Sequence, residues 1–271
     1  MSHHGKSGDE RRVTIPDFAS WKNQGRKIAV LTAYDFPTAR LLDAAGVDCL
    51  LVGDSMGTTV QGRETTLAVT LDQVIYHSEM VARAARRALV VADLPFLSYQ
   101  ASRRQAVLSA GRVLKETECQ AVKLEGGRRM AKTIRAVVEA EIPVMAHIGL
   151  TPQSIRRLGT YKVQRAEDAL REDARAVVEA GAFSVVLECV PADLAARVSE
   201  EIPIPTIGIG AGPGCDGQVL VIHDMLGLGG DFRPRFARRF AELGEAIRNA
   251  AASYVQEVRH GTFPGDSESF H

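Results

Sequence analysis

Short apolar runs recur along this chain at intervals of roughly 25 to 35 residues, most of them followed by a segment whose apolar positions repeat at helical spacing. They are Lys27 to Tyr34, Val47 to Asp54, Ala88 to Pro95, Ala121 to Gly127, Pro143 to Leu150, Ser184 to Pro191, Ile204 to Gly210 and Val219 to Ile222. Runs of this length that end in small or polar residues read as buried strands. A short first helix is marked by Pro16 with Phe18 and Trp21, and a second opens at Asp35 and Pro37, buries Leu41 and Leu42 and stops at Gly46. Ser55 to Ala68 reads as a long loop. Thr70 and Gln73 then form a capping box that opens a helix to about Arg87. Further helices are expected from Ser102 to Glu118, ending near Glu141, and from Glu167 to Ala180 with Gly181 as the stop; Phe236 to Arg259 continues as helix after the last strand. Eight strands so spaced predict an α/β fold, a (β/α)8 TIM barrel with a short N-terminal helix and a C-terminal helical extension. A doubly wound open sheet is the competing architecture and would normally use fewer strands.

Composition supports one large core. Of 271 residues 45% are hydrophobic and 24% charged, which fills a single domain over 13–271 and leaves 1–12 as a polar tail expected to be disordered. Lys plus Arg and Asp plus Glu are 33 each, so there is no net field to draw in nucleic acid or an anionic membrane. The densest basic cluster, Arg233, Arg235, Arg238 and Arg239, suits a solvated helix face or a subunit contact. Cys49, Cys119, Cys189 and Cys215 lack metal or scaffold spacing and read as reduced thiols. The tail lacks the apolar centre of a secretion signal, and no apolar run approaches membrane-spanning length, so the expected location is the cytoplasm. His3 and His4 lie in that tail and read as part of its disorder.

Chemistry concentrates at the ends of the strands. Asp54, Asp93, Lys123 with Glu125, His147 and Glu188 all fall late in apolar runs, where an unpaired ionisable group costs several kcal/mol or so to bury. A barrel gathers such positions at one mouth. Asp54, Asp93 and Glu125, from adjacent strands, would repel one another unless a hard divalent cation sat among them, and oxygen ligands favour Mg²⁺, with Mn²⁺ as the second choice, over a thiolate-loving metal. The plain alternative for each acid is a helix cap or an arginine pair. Lys123, two residues before Glu125, shares its side of the strand and suits an anionic substrate or a developing enolate, or else a simple ion pair with Glu125. His147 suits a substrate carboxylate or carbonyl, or a structural hydrogen bond. Glu188, opposite the acids, suits a general base that removes a carbon-bound proton, or an ion pair with a neighbouring strand. The glycine-rich turn Gly208 to Gly212, with Gly214 and Gly217, invites a phosphate, although close backbone approach to a flat ligand, or a tight turn, explains it as well. Asp216 and His223 carry no assigned role.

In order along the chain, Thr32-Ala33-Tyr34-Asp35, Val52-Gly53-Asp54-Ser55, Val60-Gln61-Gly62, Ala92-Asp93-Leu94-Pro95-Phe96, Val122-Lys123-Leu124-Glu125-Gly126-Gly127, His147-Ile148-Gly149-Leu150-Thr151-Pro152-Gln153-Ser154, Leu187-Glu188-Cys189-Val190-Pro191 and Ile207 to Gly212 with Asp216-Gly217-Gln218 resemble the ketopantoate (3-methyl-2-oxobutanoate) hydroxymethyltransferase family. The chain departs from that pattern at Thr160, where a glycine is usual, and in a shorter segment from Arg156 to Asp173. The resemblance implies a transferase that carries a hydroxymethyl group from 5,10-methylenetetrahydrofolate, as co-substrate, to 3-methyl-2-oxobutanoate. The reaction would pass through an enolate stabilised by Mg²⁺ and form 2-dehydropantoate in pantothenate biosynthesis. It implies Asp54 and Asp93 as Mg²⁺ ligands with Glu125 completing the site directly or through water. It further implies Asp54, Ser55, Asp93, Lys123 and His147 around the oxo acid, Glu188 as the proton acceptor, and a cytoplasmic homodecamer. The alternatives are another enolate-forming barrel that uses the glycine turn for phosphate, and a catalytically silent barrel serving as a scaffold.

Overall fold

Eight parallel strands close into a barrel in chain order: β1 (Ile28–Thr32), β2 (Cys49–Val52), β3 (Leu89–Asp93), β4 (Ala121–Glu125), β5 (Val144–Gly149), β6 (Ser184–Glu188), β7 (Thr206–Ile209) and β8 (Gly217–Leu220), with β8 pairing back onto β1. This computed structural model describes residues 11–159, 163, 165–229 and 234–271; His3, His4, the rest of 1–10, Thr160 and Arg233 lie outside the described residues. The helices are α1 (Ile15–Asn23), α2 (Phe36–Ala44), α3 (Met56–Thr59), α4 (Leu71–Ala84), α5 (Arg103–Glu116), α6 (Ala131–Glu139), α7 (Ile155–Leu158), α8 (Glu167–Glu179), α9 (Ala192–Glu201), α10 (Ile222–Leu226) and α11 (Leu243–His260). The (β/α)8 expectation holds. Among the described residues no helix is long and apolar enough to cross a membrane.

Strand alternation builds the barrel interior. One parity on each strand, including Ile28 and Val30, Cys49 and Leu51, Leu89 and Val91, Ala121, Met145, Val186 and Ile207, forms a single buried cluster. The intervening positions, Leu50, Val90, Val122, Leu124 and Val185 among them, are equally buried under the helical layer, which is why these strands read as continuous apolar runs. The cluster is closed from the amino-terminal side by α1, whose Phe18 and Trp21 join it, Phe18 meeting Phe183 edge-on at 5.6 Å between ring centroids. Thr14 and Asp17 cap α1 reciprocally, and the Thr70–Gln73 box opens α4 as its sequence requires.

Two acids without assigned chemistry are structural at this closed end. Asp216 accepts from Lys22 Nζ of α1 at 2.7 Å and from the backbone N–H of Thr206 at 2.8 Å, and so joins α1 to β7. Asp48 accepts from Arg26, Arg87 and the N–H of Ala29.

The differences from the sequence reading are local. A helix, α9, follows β6 directly because Leu194, Ala195 and Val198 supply a buried stripe after Pro191. The expected loop from 55 to 68 contains α3 and a 3-10 turn at Thr66–Ala68. No helix separates β7 from β8; residues 210–216 cross directly, and β8 begins at Gly217 rather than Val219.

Ile222–His271 is a second compact unit. Within it Phe240 donates its N–H to the Met225 carbonyl at 2.8 Å, so 236–242 is not helical as expected and α11 begins only at Leu243. Of the basic cluster, Arg239 pairs with Glu242 and Arg238 lies over the Phe240 ring, both ahead of the helix.

Candidate active site

At the carboxyl-terminal mouth the interior parity changes from apolar to ionisable. Leu89 and Val91 lead to Asp93, Ala121 to Lys123 and Glu125, Met145 to His147, and Val186 to Glu188. Register sets the neighbours: Asp93 stands opposite Lys123, Glu125 opposite His147, and Gly149 opposite Glu188. Asp54 and Ser55 enter from the turn after β2. The structure therefore gathers all seven sequence-derived candidates at one mouth, and Asp54, Asp93, Lys123, Glu125 and His147 are buried.

Lys123 Nζ donates to Asp93 Oδ2 at 2.6 Å, so its partner is Asp93 and not Glu125. Burial tends to lower the Lys123 ammonium, but Asp93, Glu125 and Asp54 outweigh it and push the group up to about 12. It is charged at neutral pH. Burial raises the Asp93 carboxyl to about 7, with Lys123 opposing and Asp54 adding to the rise. Glu125 is driven well above the usual carboxylate range by burial and by Asp54. The site thus carries more buried acid than its one lysine balances, and Asp93 Oδ1 has no hydrogen-bond partner.

That surplus fits a cation. Among the described residues no group of three or more His, Cys, Asp or Glu is disposed as a ready-made cage. Mg²⁺ does not require one, since it usually keeps several waters and takes one or two carboxylates together with its substrate.

His147 sits between two acids, with Nδ1 3.7 Å from Glu125 Oε1 and Nε2 3.2 Å from Glu188 Oε2. Burial and the Lys123 charge hold the imidazole below its ordinary range in spite of Glu188. It is neutral near pH 7. The Glu188 side chain, 15% exposed, is the accessible one of this pair. The backbone beside it is constrained, with Cys189 at φ +50°. At Gly149 a Cβ would stand 2.4 Å from the Glu188 carbonyl oxygen, so only glycine lets the two strands approach there.

Three side chains without an assigned role complete the site. Gln153 donates its side-chain Nε2 to Asp54 Oδ2 at 3.0 Å and to the Leu94 carbonyl, and its backbone N–H to Glu125 Oε2 at 3.0 Å. Tyr99 donates its hydroxyl to Gln153 Oε1 at 2.7 Å and accepts from the Glu125 N–H. The hydroxyls of Tyr34 and Ser55 lie 2.7 Å apart. Gln153 and Tyr34 stand inside quoted motifs but carry no charge to attract notice, and Tyr99 lies in a loop with no sequence signal.

The glycine turn packs closely on its neighbouring helix. A Cβ on Gly212 would meet Ala192 at 2.3 Å and one on Gly214 would meet Ala196 at 2.6 Å, so these glycines let the turn lie against α9. Gly210 and Gly212 also take positive φ, +62° and +76°, as a tight turn requires.

The raised Asp93 gives a pH prediction for metal-free protein. Its folded value of about 7 exceeds the 3.8 of an ordinary aspartate, so between these values the folded state holds a proton that the unfolded chain releases. Stability is then gained as pH falls below about 7, by about 1 kcal/mol or more between pH 7 and 6. The lowered His147 acts in the opposite sense below about 6.5. The measurement is therefore the difference between wild-type and Asp93→Asn denaturation profiles in EDTA, and parallel profiles would remove Asp93 as the source.

A family model described as ketopantoate hydroxymethyltransferase matches residues 12–266. Proteins named 3-methyl-2-oxobutanoate hydroxymethyltransferase are similar over nearly the whole chain. That of Trichlorobacter lovleyi is 56% identical, covering 96% of this chain and 99% of that protein, and that of Moorella thermoacetica is 54% identical, covering 96% and 98%. Among solved structures, phosphonopyruvate hydrolase in complex with oxalate and Mg²⁺ aligns with a TM-score of 0.62 at 11% identity, covering 95% of this chain and 91% of that one. For 2,3-dimethylmalate lyase, a PEP mutase/isocitrate lyase superfamily member, the TM-score is 0.59 at 18% identity over 94% and 91%. These likenesses are of fold.

Proposed function

The chain belongs to the ketopantoate hydroxymethyltransferase family, and we propose that it transfers the one-carbon unit of 5,10-methylenetetrahydrofolate to 3-methyl-2-oxobutanoate, with Glu188 as the base. The observation that carries this reading is the opposition of Glu188 and neutral His147 to the buried Asp93–Lys123 pair across one barrel mouth. Glu188 takes the C3 proton of the oxo acid, and the electron pair shifts towards the keto oxygen. His147 Nε2 lies 3.2 Å from Glu188 Oε2, beside the proposed base. The Lys123 ammonium faces the charge that develops, in a site where water does not screen it. C3 then bonds to the donor's methylene carbon; overall the C3 hydrogen is replaced by a hydroxymethyl group, water supplies the hydroxyl, and tetrahydrofolate leaves.

Asp54 and Asp93 would hold Mg²⁺, with Glu125 completing the site directly or through water. When bound, the ion supplies Lewis acidity to the carbonyl. Ser55, fixed by Tyr34, and His147 line the oxo-acid position. The homodecamer and cytoplasmic setting implied by the resemblance are part of the same proposal. Assembly is supported by the exposed Ile247, Tyr254 and Val258 along α11.

The test is proton NMR of 3-methyl-2-oxobutanoate in D₂O with protein and Mg²⁺, first without and then with tetrahydrofolate. The C3 proton signal is expected to disappear faster than in protein-free Mg²⁺. Protein-dependent exchange absent under both conditions would sink the enolisation reading.

A further inference from the structure

Beside the catalytic residues, between the loops that follow β4 and β5, lies a cavity of about 530 Å³ lined by Gly126, Arg128, Arg129, Gly149, Thr151 and Arg157, with Asp173 of α8 on one wall. It adjoins the site directly. Gly126 follows Glu125 in sequence, and Gly149 is the strand partner of Glu188. The chemistry described so far uses none of its arginines.

The three guanidinium groups differ in their commitments. Arg128 is paired with Glu172 and Asp173, and its N–H also donates to Asp173. Arg129 and Arg157 are exposed, and neither makes an ion pair with a described residue. The acids nearest the cavity are therefore already matched by Arg128, and two uncompensated forks remain on opposite loops of one rim. Planar forks so placed select carboxylates, which they bind with two parallel hydrogen bonds. The oxo acid's own carboxylate belongs to the mouth beside Lys123, so this rim suits a second reactant that brings carboxylates on a tail while its reactive end reaches the base.

We propose that Arg129 and Arg157 bind the glutamate carboxylates of the reduced folate, and that this cavity fixes the tail while the methylene carbon faces the barrel mouth. This rests on the donor reading given above. A tetrahydrofolate ends in a glutamate with two carboxylates, one for each free fork. The location also orders the site: the donor's tail enters over β4 and β5, and its reactive end lies towards Glu188.

The test compares Arg129→Gln, Arg157→Gln and the double variant with two donors, 5,10-methylenetetrahydrofolate and 5,10-methylenetetrahydropteroate, which lacks the glutamate. Each single variant is expected to raise KM for the glutamate-bearing donor about tenfold, and the double variant more, with kcat changed by less than about twofold. KM for the pteroate donor and metal-dependent C3 proton exchange should stay within about twofold of wild type. Equal increases for both donors, or unchanged KM for the folate, would overturn the assignment of the tail. A wild type that turns over neither donor, while still exchanging the C3 proton, would instead overturn the donor reading.

Discussion

Glu188→Gln is expected to lower kcat by about 10³-fold or more, with the affinity for 3-methyl-2-oxobutanoate kept within a few-fold. The substitution preserves shape and removes the accessible carboxylate that faces His147, so the C3 proton loses its proposed acceptor. Binding survives because the groups proposed to hold the oxo acid stand across the mouth, Asp54 and Ser55 on the turn after β2, Asp93 on β3 and Lys123 on β4. Two readouts separate a lost base from a damaged site. Proton exchange at C3 should vanish with turnover, while a titration of the oxo acid followed by protein-observed NMR should remain saturable at a similar concentration. Near-normal exchange in Glu188→Gln would move the base elsewhere, and His147, adjacent to Glu188, is the candidate to take it. Its imidazole, already held neutral by burial and by Lys123, would then show as a pH profile rising through a value below the ordinary histidine range.

The barrel was legible because its strands are buried on both faces. Interior and exterior positions are equally apolar, so each strand stood out as a run, and the change to Asp93, Lys123, Glu125, His147 and Glu188 marked the open end. What the sequence hid depends on contacts between distant elements. The choice of Asp93 over Glu125 as the partner of Lys123 comes from the β3–β4 register, which no local pattern fixes. Gln153 joins Asp54 to Glu125 from a 3-10 turn, and Tyr99 reaches them from the loop after β3, both as uncharged side chains in irregular segments. The close packing of the glycine turn was hidden for a related reason. Its small residues answer to Ala192 and Ala196 on a helix that was not anticipated there.

Lys123→Met should destabilise metal-free protein by about 3 to 5 kcal/mol, the cost of leaving a buried carboxylate without its partner. The two charges are 5% and 3% exposed and 2.6 Å apart, so water cannot replace the lost lysine. The loss should grow with pH. Burial already lifts Asp93 to about 7 with Lys123 present, and removing the cation lifts it further, which widens the range over which the folded state must hold a proton. At pH 6 the acid is protonated and missing the lysine costs least; at pH 8 the variant still holds its proton against the solvent and loses the most. Asp93→Asn in the same background removes the charge that needed pairing, so the double variant should recover a large part of the stability and show a flatter pH profile. Urea denaturation of the four proteins in EDTA at both pH values gives the coupling energy directly. A coupling near zero, or a Lys123→Met loss equal at pH 6 and pH 8, would mean that the lysine acts through packing and that the buried charge of Asp93 is balanced by another group. Enzyme activity would not follow the recovery, because the double variant lacks both the ammonium that faces the developing charge and a carboxylate of the proposed metal pair.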